Sequence, residues 1–235
     1  MRKLYETKEV LFAVLWILIY CLVLTPIKGK LGLDSPIMLA ALVAFAICIF
    51  LFVKLNHLEE KYGLDRFPKD AKKYLYFIPM WILATGNLWG GITLNYTALS
   101  LVIAVLSMAA VGFVEEMLFR GFLFKAMLKD GKPVVAIIVS AVTFGIGHIV
   151  NILTGQASVE TFLQMLFAVG LGFIFTIVCY VSGSIIPCII AHSLIDVFSL
   201  FAVDNIIIDM IYIFATIIIS TAYCIFLVLR YRREQ

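Results

Sequence analysis

Three short polar clusters interrupt an otherwise apolar chain. The first is Glu115, Glu116 and Arg120, in the segment F-V-E-E-M-L-F-R-G-F. Glu116 and Arg120 are four apart, so on a helix they share a face and can pair. Glu115 is turned about 100° from Glu116. One carboxylate can then be neutralised by the arginine while the other stays free to act as a general base. The second cluster is Phe144 and His148, in T-F-G-I-G-H-I-V-N. These too are four apart, and Gly145 and Gly147 between them let a neighbouring helix come close. The third is His192 and Asp196, in P-C-I-I-A-H-S-L-I-D. A carboxylate beside an imidazole fixes its tautomer, and Pro187, five residues before His192, is expected to kink that helix. Taken singly, each cluster also has a plain structural reading: a helix end at the interface, an interhelical hydrogen bond, a His–Asp pair that ties helices.

The background against which these residues stand is strongly apolar. Of 235 residues, 63% are hydrophobic and 14% charged, against about 45–50% and about 25% in soluble domains. Mean hydropathy is +1.09. The composition is that of a membrane protein. An ionisable group inside a span costs about 2.5–3.5 kcal/mol on insertion scales, so such groups face a wet cavity or one another. Two acids, an arginine, two histidines and a further acid in apolar segments therefore point to convergence on one functional site. His57, in a polar loop, is expected to be solvated. The net charge of +3, with basic residues scattered between apolar runs, excludes a nucleic-acid partner. Cys21, Cys48, Cys179, Cys188 and Cys224 lie in apolar runs without C-x-x-C spacing and read as small hydrophobes.

The elements that must position the clusters are transmembrane helices. A span needs about 20 mostly apolar residues, and eight candidates occur, at 10–27, 37–55, 75–92, 97–114, 133–152, 161–181, 184–201 and 206–229. The first follows a polar basic start and reads as a retained helix rather than a signal peptide. The fourth should continue to about residue 129, since 115–129 keeps helix formers and lacks proline. Lys and Arg fall sixteen to two on alternate loops, the two being Lys28 and Lys30, which places both termini in the cytoplasm. The polar loop 54–73 reads as a surface helix or a solvated connector. The expected fold class is all-α: a single polytopic transmembrane domain over 1–235, with about eight helices and a motif-bearing core at about 97–201.

At these residues the chain resembles the CAAX-prenyl endopeptidase and bacteriocin-processing family, called CPBP or Abi. Glu115, Glu116 and Arg120 match its E-E-x-x-x-R motif, Phe144 and His148 its F-x-x-x-H motif, and His192 and Asp196 its H-x-x-x-N/D motif. The resemblance covers about 111–199; the first hundred residues carry no motif. It implies an intramembrane endopeptidase in which Glu115 and His148 activate water. His192 with Asp196 would steady the oxyanion, Glu116 and Arg120 would orient the base, and Phe144 would belong to the substrate pocket. Asp196 stands where Asn is an alternative; an ionised Asp cannot donate to an oxyanion, so its part would be to hold His192. A metal-free reading is favoured because H-E-x-x-H is absent. The alternative is zinc held by Glu115, His148 and His192.

The implied partners are a peptide or protein substrate at the membrane and the lipid bilayer itself; the implied location is a bacterial cytoplasmic membrane, crossed several times. Two other functions compete. One is a non-proteolytic protein of the same fold, such as a bacteriocin self-immunity factor or a scaffold. The other is a proton relay or transporter, although no internal repeat is visible. Ideal straight helices would leave Glu115 and His148 offset by about 10 Å or more, so a tilt or a break near Gly145 and Gly147 is required.

Overall fold

The computed structural model describes residues 2–234, which are all-helical, with no strand among them. Eight apolar helices lie where the sequence places them. They are α1 (Glu9–Leu31), α2 (Pro36–Leu55), α3 (Phe77–Ala84, extended by a 3₁₀ turn at Gly86–Leu88) and α4 (Ala98–Glu116, continued to Leu128). Then follow α5 (Pro133–Gly147, then 3₁₀ at His148–Thr154), α6 (Ser158–Ser182), α7 (Ile186–Ser199) and α8 (Ile206–Arg232). Six are long and apolar enough to cross a membrane; α3 and α7 are shorter. The protein is thus an integral, multi-pass membrane protein, with six full-length helices and two half-length ones rather than eight equal spans.

Several boundaries differ from the sequence reading for local reasons. Pro26 does not end α1, which runs five residues further to Leu31. Proline inside a transmembrane helix is tolerated because neighbours can re-satisfy the freed backbone groups. Pro187 does not kink α7; it occupies the first turn, where its missing N–H is no loss and its fixed φ suits a helix start. The connector at 54–73 is not merely solvated. Tyr62 is buried, and the Ser184 hydroxyl donates to the Gly63 and Arg66 carbonyls at 3.2 and 2.8 Å. His57 is exposed, as expected.

Close helix approach sets the architecture. α6 lies along both α5 and α8, and α7 lies against α4. At the α4–α7 crossing a Cβ on Gly112 would meet Ser193 Oγ at 2.4 Å and Ser193 N at 2.8 Å. At α5–α6 a Cβ on Gly145 would meet Val169 Cγ2 at 2.3 Å and the Met165 carbonyl at 2.8 Å. Gly147, by contrast, has only Phe119 Cζ, at 3.7 Å. Of the two glycines of the second cluster, only Gly145 serves packing. In lipid, such backbone proximity replaces the hydrophobic drive that water would supply.

Side-chain contacts identify two opposite ends of the bundle. At one, Glu9 accepts from Lys61 (2.8 Å) and Lys129 (2.6 Å), and Glu234 accepts from Lys73 and Tyr74. The Lys73 and Tyr74 hydrogen bonds hold the Glu234 carboxyl below its ordinary range. At the other, Thr93 N–H donates to the Phe201 carbonyl (3.0 Å) and Lys28 donates to Asn151 (3.1 Å). Gly112→Val should force α4 from α7 and cost about 1–3 kcal/mol as an overpacked site, whereas Gly147→Ala should leave stability unchanged. Thermal unfolding of the two variants in detergent tests the contrast.

Candidate active site

The centre of the site is a buried carboxylate. Glu116, the last α-helical residue of α4, is fully buried, as is Arg120. Arg120 Nη1 donates to Glu116 Oε1 at 2.9 Å, the pairing expected from their spacing. From Met117 to Phe124 the helix widens to π geometry, and every residue in that stretch is buried. π turns are rare and recur at functional sites. The Ser140 hydroxyl of α5 donates to the Phe119 carbonyl within this stretch, at 3.1 Å.

His192, also buried, completes the centre from α7. Its Nδ1 lies 2.8 Å from Glu116 Oε1. Glu116 can only accept there, so Nδ1 carries the proton and donates. Nε2 then faces the other two acids, 3.5 Å from Asp196 Oδ2 and 3.8 Å from Glu115 Oε2. The hydrogen bond that holds the imidazole is therefore the one it donates to Glu116; Asp196, expected to hold the ring, stands at ion-pair distance from its far nitrogen.

Phe144 plays a different part from a simple pocket wall. It lines the cavity, but it is 97% covered (3% exposed) and is shared by three functional groups. The Arg120 guanidinium lies 4.2 Å from its ring centroid, within cation–π range. The imidazoles of His148 and His192 meet it edge-on, at 5.6 and 5.5 Å between centroids. Phe175 of α6 closes the other side, 5.4 Å from the guanidinium and 5.8 Å from the His192 ring. Two aromatic faces thus shield the Glu116–Arg120 pair from lipid.

Glu115, His148, His192 and Asp196 all line one cavity of about 910 Å³. The offset anticipated for straight helices is removed by a break: α5 ends at Gly147 and the chain tightens into 3₁₀ geometry from His148. Glu115, His148, His192 and Asp196 share this cavity, whereas Glu116 and Arg120 are buried behind it, joined to it through His192. The cavity also holds groups that the sequence reading missed. The Tyr20 hydroxyl donates to Glu115 Oε1 at 2.8 Å, and Lys28, Asn151 and Gln164 lie in the same wall. The one available signal was a phenol and an ammonium on an apolar first helix, each of which needs a partner. The partners are 95 and 123 residues away.

Among the described residues, no three His, Cys, Asp or Glu side chains are grouped as a metal ion would require. His192 Nδ1 is committed to Glu116, and Glu115 accepts from Tyr20. The side chains as placed do not form a zinc shell from Glu115, His148 and His192.

Residues 96–198 match the model of a protein family described as type II CAAX prenyl endopeptidase Rce1-like. That segment is similar to the Rce1-like family. All six polar motif residues and Phe144 fall within it. No curated protein and no solved structure matches the chain. Within the Rce1-like segment, Arg120→Met would leave Glu116 buried without its cation. Breaking a buried pair in this way costs about 3–5 kcal/mol. The variant should unfold at a clearly lower temperature in detergent, and Arg120→Lys, lacking the planar fork over Phe144, should rescue only part of the loss.

Proposed function

We propose that the protein is an intramembrane endopeptidase that cleaves peptide bonds with a water activated by Glu115 and His148. The observation that carries this reading is the convergence of Glu115, His148, His192 and Asp196 on one cavity inside the bundle, within a segment of endopeptidase family character. Glu115 is the free carboxylate of the pair, since Glu116 is taken by Arg120 and His192. It accepts a water proton as the oxygen attacks the scissile carbonyl. His148 orients the water, and the protonated Glu115 hands that proton to the leaving amine as the C–N bond breaks. His192, fixed through Nδ1 by Glu116, acts as an imidazolium, whose Nε2–H faces the cavity as donor to the tetrahedral oxyanion, a contribution worth about 2.7–4 kcal/mol of barrier in comparable sites. Asp196 balances that imidazole. The metal-free form of this chemistry is proposed because the chain lacks the H-E-x-x-H spacing of common zinc proteases.

The substrate is a membrane-associated peptide, and the charge distribution gives the side from which it arrives. The cavity is walled by the C-terminal ends of α1, α5 and α7 and the N-terminal ends of α2, α6 and α8, so it opens at the end of the bundle that carries Lys28 and Asn151. Of the 18 Lys and Arg residues, Lys28 and Lys30 belong to that end, Arg120 is buried, and the rest belong to the opposite half. By the positive-inside rule, the opening faces away from the cytoplasm in a bacterial cytoplasmic membrane. Peptides lodged in the outer leaflet or exported across the membrane fit such an entrance better than cytosolic ones.

Cleavage of a fluorescent peptide library by purified protein in detergent tests the chemistry. Glu115→Gln and His148→Ala should each lower turnover by about 10²–10⁴-fold, the scale of general acid–base catalysis, while a chelator leaves it unchanged. Loss of activity with chelator and recovery with zinc would defeat the metal-free mechanism; undiminished activity in both variants would defeat the assignment of the base.

Orientation has its own test. Ser158→Cys, at the open end, should react with a membrane-impermeant maleimide in intact cells, above the background of the native chain. Lys69→Cys should react only after permeabilisation. The reverse pattern would turn the cavity to the cytoplasm.

A further inference from the structure

Glu115 is held at one oxygen. Its Oε1 accepts from the Tyr20 hydroxyl at 2.8 Å, and among the described residues no other group donates a hydrogen bond to this carboxylate. Its Oε2 lies 3.8 Å from His192 Nε2. Tyr20 comes from α1, outside the matched segment 96–198. It is half-buried. Its ring meets Phe45 of α2 edge-on, at 5.9 Å between centroids and 85° between planes, while its other end lines the cavity. A phenol on a packed ring is a stiff arm, because two torsions fix its hydroxyl. A glutamate side chain in an open cavity keeps rotamer freedom, and ordering it costs up to about 2 kcal/mol. The bond also satisfies two polar groups that lipid would penalise, but that purpose requires no particular oxygen.

We infer that Tyr20 is a positioning residue: by occupying Oε1 it fixes Oε2 of Glu115 as the oxygen that receives the water proton. The inference rests on the endopeptidase reading for the reaction and names the atom at which that reaction begins. Water between Oε2 and the scissile carbonyl carbon gives its proton to Oε2 as its oxygen bonds to that carbon. The carbonyl π pair moves onto the oxygen that faces His192 Nε2–H. Base and oxyanion donor, 3.8 Å apart, both reach a single carbonyl group. A carboxylate free to turn would lie away from the water for part of the time, and a misplacement of about 1 Å can cost about 10²-fold in rate. The three motifs hold the acid; the group that aims it stands on the first long helix.

Tyr20→Phe keeps the ring and its Phe45 contact and removes only the hydroxyl. Its kcat on the peptide library should fall about 10–100-fold with KM within about twofold of the wild type, the pattern of a lost transition-state geometry. A tie that serves stability alone would lower the unfolding temperature and leave kcat per folded protein unchanged. A second readout needs no turnover. A hydrophobic carbodiimide modifies a carboxyl in its protonated form, and a hydrogen bond to the ionised form opposes protonation. Glu115 should therefore be labelled several-fold faster in Tyr20→Phe at the same pH, read by mass spectrometry. Alkylation of Cys21, in the same wall, should keep the wild-type rate and so show unchanged access. Lys28, His148, His192 and Asp196, the other ionisable groups around Glu115, are common to both proteins. Slower turnover with faster labelling is the expected signature. Wild-type kcat in Tyr20→Phe, a loss that falls on KM alone, or unchanged labelling would overturn the inference. Glu115→Gln separates the two claims. If it is inactive while Tyr20→Phe cuts as the wild type does, the base stands and the positioning role falls. A protein whose labelling responds to Tyr20→Phe but which cuts no peptide would refute the endopeptidase reading, and with it the role of Oε2, while the Tyr20–Glu115 bond stands.

Discussion

A carboxylate with no access to water sits at the centre of this molecule, and much of the surrounding structure follows from keeping it ionised. Glu116 accepts from Arg120 and from His192 on the same oxygen. Without those donors a buried carboxylate would carry a penalty of several kcal/mol, and with one of them removed the other would be stranded. The pair in turn needs shielding from lipid, which Phe144 and Phe175 provide from α5 and α6. One ion pair therefore ties four helices: α4 supplies acid and base, α7 the imidazole, α5 and α6 the aromatic walls. The arrangement also leaves Glu115, the adjacent acid, pointing into the cavity rather than into the pair.

Close backbone contact makes this geometry stiff. At Gly112 the α4 backbone touches Ser193, the residue after His192, so the depth at which the imidazole meets Glu116 is set by two main chains and not by flexible side chains. The π stretch at Met117–Phe124 and the 3₁₀ stretch at His148–Thr154 are the two departures from α-helical regularity nearest the site. The first lies between Glu116 and the wall residues that cover its partner. The second ends the straight run of α5 where His148 must reach the cavity. Irregular backbone at membrane depth survives where it is packed in protein or lines a polar cavity, and both conditions are met here.

The sequence made the local side-chain pairings more legible than the long-range ones. Spacings of four residues placed Glu116 with Arg120 and Phe144 with His148 on shared helix faces, and apolar runs located all eight helical segments. What it hid were interactions across long separations. Nothing in the local pattern says that His192 donates its hydrogen bond to Glu116, 76 residues earlier, rather than to Asp196 four residues on. Both partners are sterically allowed, and the choice is made by the α4–α7 crossing. Pro187 misled for a related reason: a proline reports a missing N–H, and whether that bends or begins a helix depends on what packs around it. The continuation of α1 to Leu31, which carries Lys28, was lost with the boundary drawn at residue 27.

The Tyr20–Glu115 hydrogen bond has a consequence for how such a protein diversifies. The family-like segment spans 96–198, yet one hydroxyl on the cavity acid, and the cation farther up the wall, come from α1, outside it. The motif residues and the helix facing them are thus separable along the chain. Changes in α1 away from Tyr20 can reshape what the cavity admits while the Glu–Arg–His centre stays untouched. A lineage can in this way exchange its clientele and keep its chemistry, with the leading helix as the replaceable part.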